Sequence, residues 1–303
     1  MFSLAKDGMR PQLEELWQIA FNDTPGNIRF FFENRYNPNN CAVYTDKMGN
    51  VAAALHMLPA SITEDSEILP VQYIYAAATL PQYQGKGVMT SLLVYAERIA
   101  RARGQEYSIL VPAEKPLFKF YENRGYKTCF GYRRVNMTRH ELNTIIKTNS
   151  GKAAASQVYY NTLQSEHLFN LRRDVLTEHE GYINWDAPAV RYACDYHRLQ
   201  RGSVITATNG YEAGYALCFD HGETLEISEY ISHAEFSVHL IKALLELTDA
   251  QYFKIRMPAM DTIFFKYGEL VPYGMLKDTT DSNPINLISL SGLHTPYLGL
   301  ALE

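Results

Sequence analysis

Between positions 81 and 90 the chain reads Pro81-Gln82-Tyr83-Gln84-Gly85-Lys86-Gly87-Val88-Met89-Thr90. These residue types, at this spacing, suit the binding of an anion. An apolar run, Val71 to Leu80, leads into the segment and reads as a strand, and the residues after it read as an amphipathic helix. A strand, a glycine turn and a helix start leave unpaired N–H groups facing outward, where the helix dipole adds partial positive charge. Gly85 and Gly87 lack a Cβ, so main chain can approach a phosphate closely. The chemistry implied is capture of a phosphate or diphosphate by backbone. The same segment also describes a strand–helix turn with no ligand. The chain has neither G-x-x-x-x-G-K-[ST] nor G-x-G-x-x-G, which argues against the ordinary triphosphate and dinucleotide loops.

The elements downstream sharpen the reading. The spacing of Val88, Leu92, Leu93, Ala96, Ile99 and Ala100 predicts a helix over 88–103, with Arg98, Arg101 and Arg103 towards its C-terminal end and Gly104 as a stop. Tyr107 to Val111 reads as a strand ended by Pro112. A short helix through Phe120-Tyr121-Glu122-Asn123-Arg124-Gly125-Tyr126 follows. Gln84-x-x-Gly87-x-Met89 resembles the acetyl-CoA signature of the GCN5-related N-acetyltransferases (GNAT), Q/R-x-x-G-x-G/A. About 30 residues later, Phe120 to Tyr126 resembles their F-Y-E-x-x-G-Y/F motif. Met89 departs from the pattern, which has a small residue there; the expectation is a loop pushed outward or a shifted pantetheine path.

The resemblance implies acetyl-CoA as cofactor. Main chain of Tyr75 to Thr79, including Ala77 and Thr79, would read the pantetheine and the thioester carbonyl. Gln84, Gly85, Lys86, Gly87, Val88, Met89 and Thr90 would hold the diphosphate. Tyr121 takes the place of the family's proton donor. A phenol with a pKa of about 10 stays protonated near neutrality and can still reprotonate a thiolate. Tyr121 also reads as a core aromatic, one of 22 tyrosines. For the base, His56 and Glu114 are the candidates, alongside a water chain. A satisfied strand histidine and a solvated loop carboxylate describe them as well.

These residues need a scaffold, and the chain reads as α/β, with two halves of one kind. Before the glycine loop come helices at 8–21 and Asn27 to Arg35, a hairpin of Cys41 to Tyr44 with Val51 to Pro59, and a short edge strand at Ile62 to Ile68. Arg133 to Met137 closes the half, and 139–156 reads as helix plus linker. The domains are drawn at 1–150 and 151–303. In the second, Val204 to Thr208, Gly214 to Phe219 and Thr224 to Ile231 are strand-like. Helix 233–248, strand Tyr252 to Met257, a short helix at Asp261 to Tyr267 and strand Gly274 to Lys277 follow. The order repeats the first half, but Glu229-Tyr230-Ile231-Ser232-His233-Ala234 stands where the glycine loop should be. A carboxylate there repels a diphosphate. The pairing resembles the tandem enhanced-intracellular-survival acetyltransferases, without a third domain. It implies two tandem GNAT domains, each a mixed central sheet flanked by helices, with an inactive second copy.

The acceptor pocket is expected between the first two helices and the second half, walled by Trp17, Phe21, Asp23, Phe30 and Phe31. Aromatics beside a carboxylate suit an amine cation on an apolar body; plain helix–sheet core is the other reading. Trp185-Asp186 invites the same idea.

With 28 basic and 33 acidic residues, nothing suggests a nucleic-acid partner. No apolar run reaches the length of a membrane span, and the N-terminus is too polar for a signal peptide. Cys41, Cys129, Cys194 and Cys218 show no paired or metal-ligating spacing, which fits reduced thiols in the cytoplasm and no metal. The expected function is acetyl-CoA-dependent acetylation of a primary amine of a small molecule or peptide, by direct transfer. A non-catalytic acyl-CoA sensor, or an aminoacyl or fatty-acyl transferase of the same fold, is the alternative. A homo-oligomer is compatible with the sequence.

Overall fold

A computed structural model describes residues 1–64, 67–149, 157–160, 165–176, 179–261, 263–280 and 294–300. The first half opens with β1 (Phe2–Leu4), α1 (Arg10–Phe21) and α2 (Pro25–Asn34). Thr24 caps α2 by accepting the Asn27 N–H at 3.2 Å, with Pro25 in the first turn, where its missing N–H costs nothing. Then come β2 (Cys41–Thr45), β3 (Val51–Glu64), β4 (Glu67–Thr79), α3 (Val88–Ala102), β5 (Tyr107–Leu110), α4 (Lys115–Glu122), β6 (Lys127–Thr138) and α5 (Arg139–Asn149).

The second half contains β7 (Gln157–Tyr160), α6 (Ser165–Leu176), β8 (Ile183–Asn184), α7 (Ala187–Leu199), β9 (Ser203–Thr208), β10 (Ala213–Asp220), β11 (Thr224–Ser232), α8 (Ser237–Leu247), β12 (Tyr252–Met257) and β13 (Glu269–Asp278).

The strands form one mixed sheet in the order β1-β2-β3-β4-β5-β13-β6-β12-β11-β10-β9-β7, with β8 paired to β3. Each half holds one parallel crossover through a helix. β4 runs parallel to β5 with α3 between them in sequence, and β11 runs parallel to β12 with α8 between them. The halves exchange strands. β13 of the second half lies between β5 and β6, with Leu276 opposite Ile109 on one side and Lys127 on the other. β12 pairs with β6 in turn. Apolar clusters fill both faces. Trp17, Phe31, Leu168 and Val190 belong to the one under α1, α2, α6 and α7. Leu92, Leu93, Tyr121 and Met275 belong to the one under α3 and α4. Leu142, Ile145, Phe236 and Leu244 belong to the one under α5 and α8.

Several sequence expectations are corrected. Ile62 to Ile68 is no separate edge strand. β3 and β4 form one long hairpin, paired out to Glu64 opposite Glu67. Asp261 to Tyr267 holds turns rather than a helix; Asp261 Oδ1 accepts the N–H groups of Ile263 and Phe264 there. Position 262 lies outside the described residues. α5 ends at Asn149, and the linker proposed beyond it, 150–156, is also outside them. Helices α6 and α7 are additions. Trp185 is core, its indole N–H donating to the carbonyls of Leu298 and Gly299 at 2.9 Å. Asp186 caps α7 through the Ala189 N–H. No helix among the described residues is long and apolar enough to cross a membrane, and no three metal-ligating side chains gather there.

Candidate active site

β4 carries a bulge opposite Leu55: Ala54 faces Ala78, His56 faces Tyr75, and Ala76 and Ala77 lie between. Ala76 is forced to φ +48, a left-handed conformation that costs a residue with a Cβ about 1–3 kcal/mol. The parallel ladder to β5 ends at Ile74 opposite Leu110. β5 stops there and Pro112 follows, while β4 continues to Thr79. The two strands therefore part at Tyr75 to Thr79.

The gap opens into a cleft of about 750 Å³. One wall is Trp17, Phe21 and Asp23 from α1 and its end. The floor is Tyr73 to Ala77. The far wall is Glu114, Leu117, Phe118 and Tyr121 of α4 and its entry, and Tyr132, Tyr196, Arg256 and Tyr273 close the remaining side.

Tyr121 is 8% exposed and packs edge-on to Phe120 and Tyr126. Burial pushes its phenol up to about 12, partly countered by Arg124. Its hydroxyl has no hydrogen-bond partner among the described residues. Asp23 is anchored at the cleft edge: it accepts the Trp17 indole N–H at 3.3 Å and the Asn27 amide at 2.7 Å.

Beyond Thr79 the chain makes a 3-10 turn, Pro81–Tyr83, and then the glycine loop. The Gln84 side chain donates to the Thr79 carbonyl at 2.9 Å, folding the loop back on the strand end. Gly85 and Gly87 take φ of +70 and +75, and a Cβ at either would meet nothing within 4 Å, so the loop borders open space. The Ser91 N–H bonds to the Gly87 carbonyl at 3.0 Å, so the N–H groups of Val88, Met89 and Thr90 precede the first intrahelical bond. The first turn of α3 holds no acidic residue, and Lys86 lies over the Tyr83 ring. This donor set fits a diphosphate, and the parted strands fit a linear chain leading from it into the cleft. Met89 packs on the apolar cluster beneath α3.

Of the residues expected to do chemistry, Tyr121, Glu114, Trp17, Phe21, Asp23 and Ala77 share the cleft. Thr79 and residues 84–90 form the adjoining loop. Phe30 and Phe31 do not line the cleft. Phe31 is under Trp17, with ring centroids 4.7 Å apart, and Phe30 packs on Tyr192 of α7.

His56 does not line it either. It is 3% exposed among Trp17, Phe31, Phe32 and Tyr36, and burial lowers its pKa to about 3. It is therefore neutral at pH 7. Its folded pKa lies below the unfolded value of about 6.5, so stability present above that pH is lost as pH falls towards 3. The loss is at most about 1.4 kcal/mol per pH unit from this group. His56→Phe is expected to narrow the drop in melting temperature between pH 7.5 and pH 5. An unchanged drop would show that His56 does not govern acid sensitivity.

Tyr75 was expected here through its main chain; Tyr73, Tyr132, Tyr196, Arg256 and Tyr273 of the cleft were not anticipated. Three of them come from the second half, through α7, β12 and the exchanged β13, and no local motif marks them.

The parted β4–β5 pair, the glycine loop and the crossover through α3 together define the GNAT fold. Residues 2–129 match the family model of the acetyltransferase (GNAT) domain. Solved structures share the fold over nearly the whole chain. A GCN5-related N-acetyltransferase from Anabaena variabilis is 13% identical, with a TM-score of 0.74 over 92% of this chain and 73% of that one. Eis1 from Mycobacterium abscessus is 11% identical, with a TM-score of 0.72 over 92% and 74%. A tandem GNAT protein from the clavulanic acid biosynthesis pathway is 13% identical, with a TM-score of 0.52 over 93% and 99%. At these identities the likeness is one of fold. No curated protein matches in sequence.

In the second half no glycine loop separates strand from helix: β11 ends at Ser232 and a 3-10 turn, Ala234–Phe236, leads directly into α8. Glu229, expected in that turn, lies instead inside β11 opposite Leu217. It is 1% exposed, accepts the hydroxyls of Tyr215 and Tyr297 at 2.5 and 2.9 Å, and faces Arg172 at 3.6 Å. It is tied into a core network.

Gly87→Asp is expected to abolish CoA binding by calorimetry while the protein still folds. Aspartate tolerates the left-handed φ of +75 better than most residues, at some cost in strain, but its carboxylate would occupy the N–H groups and repel a diphosphate. Retained binding would move the cofactor elsewhere.

Proposed function

We propose that the chain is an acetyl-CoA-dependent N-acetyltransferase acting on a primary amine of a small molecule or peptide by direct transfer. The observation that carries this reading is one cleft lined by Tyr121, by Ala77 and the strained Ala76, and by Asp23, next to the glycine loop.

Bound acetyl-CoA supplies an activated acetyl thioester. Main chain of the loop and of the α3 start holds the diphosphate. Main chain of Tyr75 to Thr79 orients the pantetheine and the carbonyl. Asp23, Trp17 and Phe21 draw in the amine cation. Of the two candidate bases only Glu114 lines the cleft, so it takes the ammonium proton, directly or through water. Tyr121 gives its proton to the departing sulfur and keeps it until then, because burial raises its pKa. Direct attack of the neutral amine needs no covalent enzyme intermediate, and the buried cysteines suit that. Burial pushes Cys41, Cys129 and Cys194 up to about 12, away from thiolate.

The halves, taken as 1–150 and 151–303, divide the work: the first binds cofactor and the second completes the acceptor wall. Four free cysteines fit a reducing compartment, and we place the enzyme in the cytoplasm on that ground. The test is CoA titration together with thiol release from acetyl-CoA across a panel of amines. Saturable release with at least one amine is the expected result. CoA binding without turnover on any amine would make the protein an acyl-CoA sensor instead.

A further inference from the structure

Arg124 follows α4 by two residues and is half-buried. Its guanidinium meets no carboxylate within ion-pair distance among the described residues, since neighbouring Glu122 pairs with Lys119 at 3.2 Å. Neutral groups hold it instead. Nε and one terminal nitrogen donate to Thr90 Oγ1 at 3.0 and 2.6 Å, and the other terminal nitrogen donates to the Phe120 carbonyl. The plane lies over the Phe120 ring, 3.4 Å from its centroid. Three of the five N–H donors of an arginine are thereby engaged.

Thr90 is the third residue of α3, in the turn whose N–H groups precede the first helical bond. A cation beside a helix N-terminus is unfavourable, because the dipole there is already positive. Partial desolvation, which also lowers its pKa, adds to that cost. Packing does not require a charge here: Thr90 Oγ1, the Phe120 carbonyl and the Phe120 ring would accept a neutral donor. A half-buried cation with no carboxylate partner among the described residues, fixed against a positive helix end, is suited to an anion arriving from solvent.

We propose that Arg124 is a cofactor-binding residue that supplies a side-chain positive charge to a phosphate of the CoA nucleotide at the start of α3. The proposal rests on the CoA reading of the glycine loop. It also links the two ends of the cofactor. Arg124 follows Tyr121 in the same motif, so fixing it on Thr90 and on a phosphate sets α4, and with it the Tyr121 hydroxyl, relative to the loop.

The test is calorimetric titration of the full chain with CoA, 3′-dephospho-CoA and pantetheine, repeated in Arg124→Gln and Arg124→Lys. Arg124→Gln is expected to weaken CoA ten- to hundredfold, about 1.4–2.8 kcal/mol. Pantetheine, which has no nucleotide phosphates, should be unaffected. Arg124→Lys should recover part of the loss. Whether 3′-dephospho-CoA loses as much as CoA tells the diphosphate from the 3′-phosphate as the group contacted. The melting temperature without ligand should change little, while the shift produced by CoA shrinks. The dependence of CoA affinity on salt should flatten in Arg124→Gln.

Equal losses for CoA and pantetheine, or no loss for CoA, would overturn the assignment. If Arg124→Gln does not fold, Thr90→Val decides. It frees the guanidinium from its anchor without removing the charge, and unchanged CoA affinity in it together with full binding in Arg124→Lys would overturn the anchored geometry. Failure of the parent protein to bind CoA would instead overturn the reading of the loop itself.

Discussion

Replacing Tyr121 with phenylalanine is expected to lower kcat for acetyl transfer by about 10²–10⁴-fold, the usual loss when a general acid is removed. The ring stays, so its edge-on packing with Phe120 and Tyr126 is kept and the melting temperature should hardly move. CoA affinity should hardly move either, because the hydroxyl has no hydrogen-bond partner among the described residues and meets the sulfur only in the reacting complex. The effect should fall on kcat rather than on KM, as for an interaction made only in the transition state. The pH dependence follows from the raised pKa of about 12: Tyr121 remains protonated throughout the range in which amines become neutral. No basic limb belonging to Tyr121 should therefore appear below about pH 11, one unit under that value. A Tyr121→Phe enzyme within about threefold of the parent in kcat, well below the loss expected for a general acid, would return this tyrosine to the core.

The glycine loop, α3 and α4 were legible because their signals are local. Loop conformation rests on Gly85 and Gly87 at positive φ, and α3 rests on apolar spacing that the structure buries at Leu92, Leu93, Ala96 and Ala100. The cleft wall was half legible. Trp17, Phe21 and Asp23 reach the cleft because they lie at the end of α1. Phe30 and Phe31 do not, because α2 turns them onto α7 and onto the layer beneath Trp17. Composition could not separate those outcomes, since one aromatic stripe serves a pocket or a core equally well. His56 was ambiguous for the same reason. A strand histidine becomes a base only where its nitrogens reach the reactants, and here aromatic rings surround it. The second half hid most. Arginines, histidines and tyrosines dilute the apolar periodicity of α6 and α7, and nothing in a strand's own sequence says that it will pair across a domain boundary. Arg256 and Tyr273 enter the cleft only through such long-range pairing, and Tyr196 only through the packing of α7.

That pairing leads to the other large effect. A chain ending at residue 150 is expected to be insoluble, or soluble without measurable CoA binding, and co-expression of residues 151–303 should restore both properties. Without β13, the edges of β5 and β6 lose their shared partner, exposing Ile109 and Leu110 along an unpaired edge. Met275 leaves the cluster beneath α3 and α4, the layer that carries Tyr121. Glu97 loses Lys277, which donates to it at 2.6 Å. Its carboxylate, 10% exposed in the full chain, then faces the gap left by β13 without its cation. Domains of ordinary stability have about 5–15 kcal/mol in all, so losing a central strand and its buried apolar contacts is a large fraction of that margin. The cleft itself loses Tyr196, Arg256, Pro272 and Tyr273. The sheet of the first half is completed by β13 of the second. The decisive comparison is CoA titration of the 1–150 fragment against the co-expressed halves. A soluble fragment that binds CoA as tightly as the full chain would show that β13 is dispensable to the cofactor site, and would confine the second half to the acceptor wall.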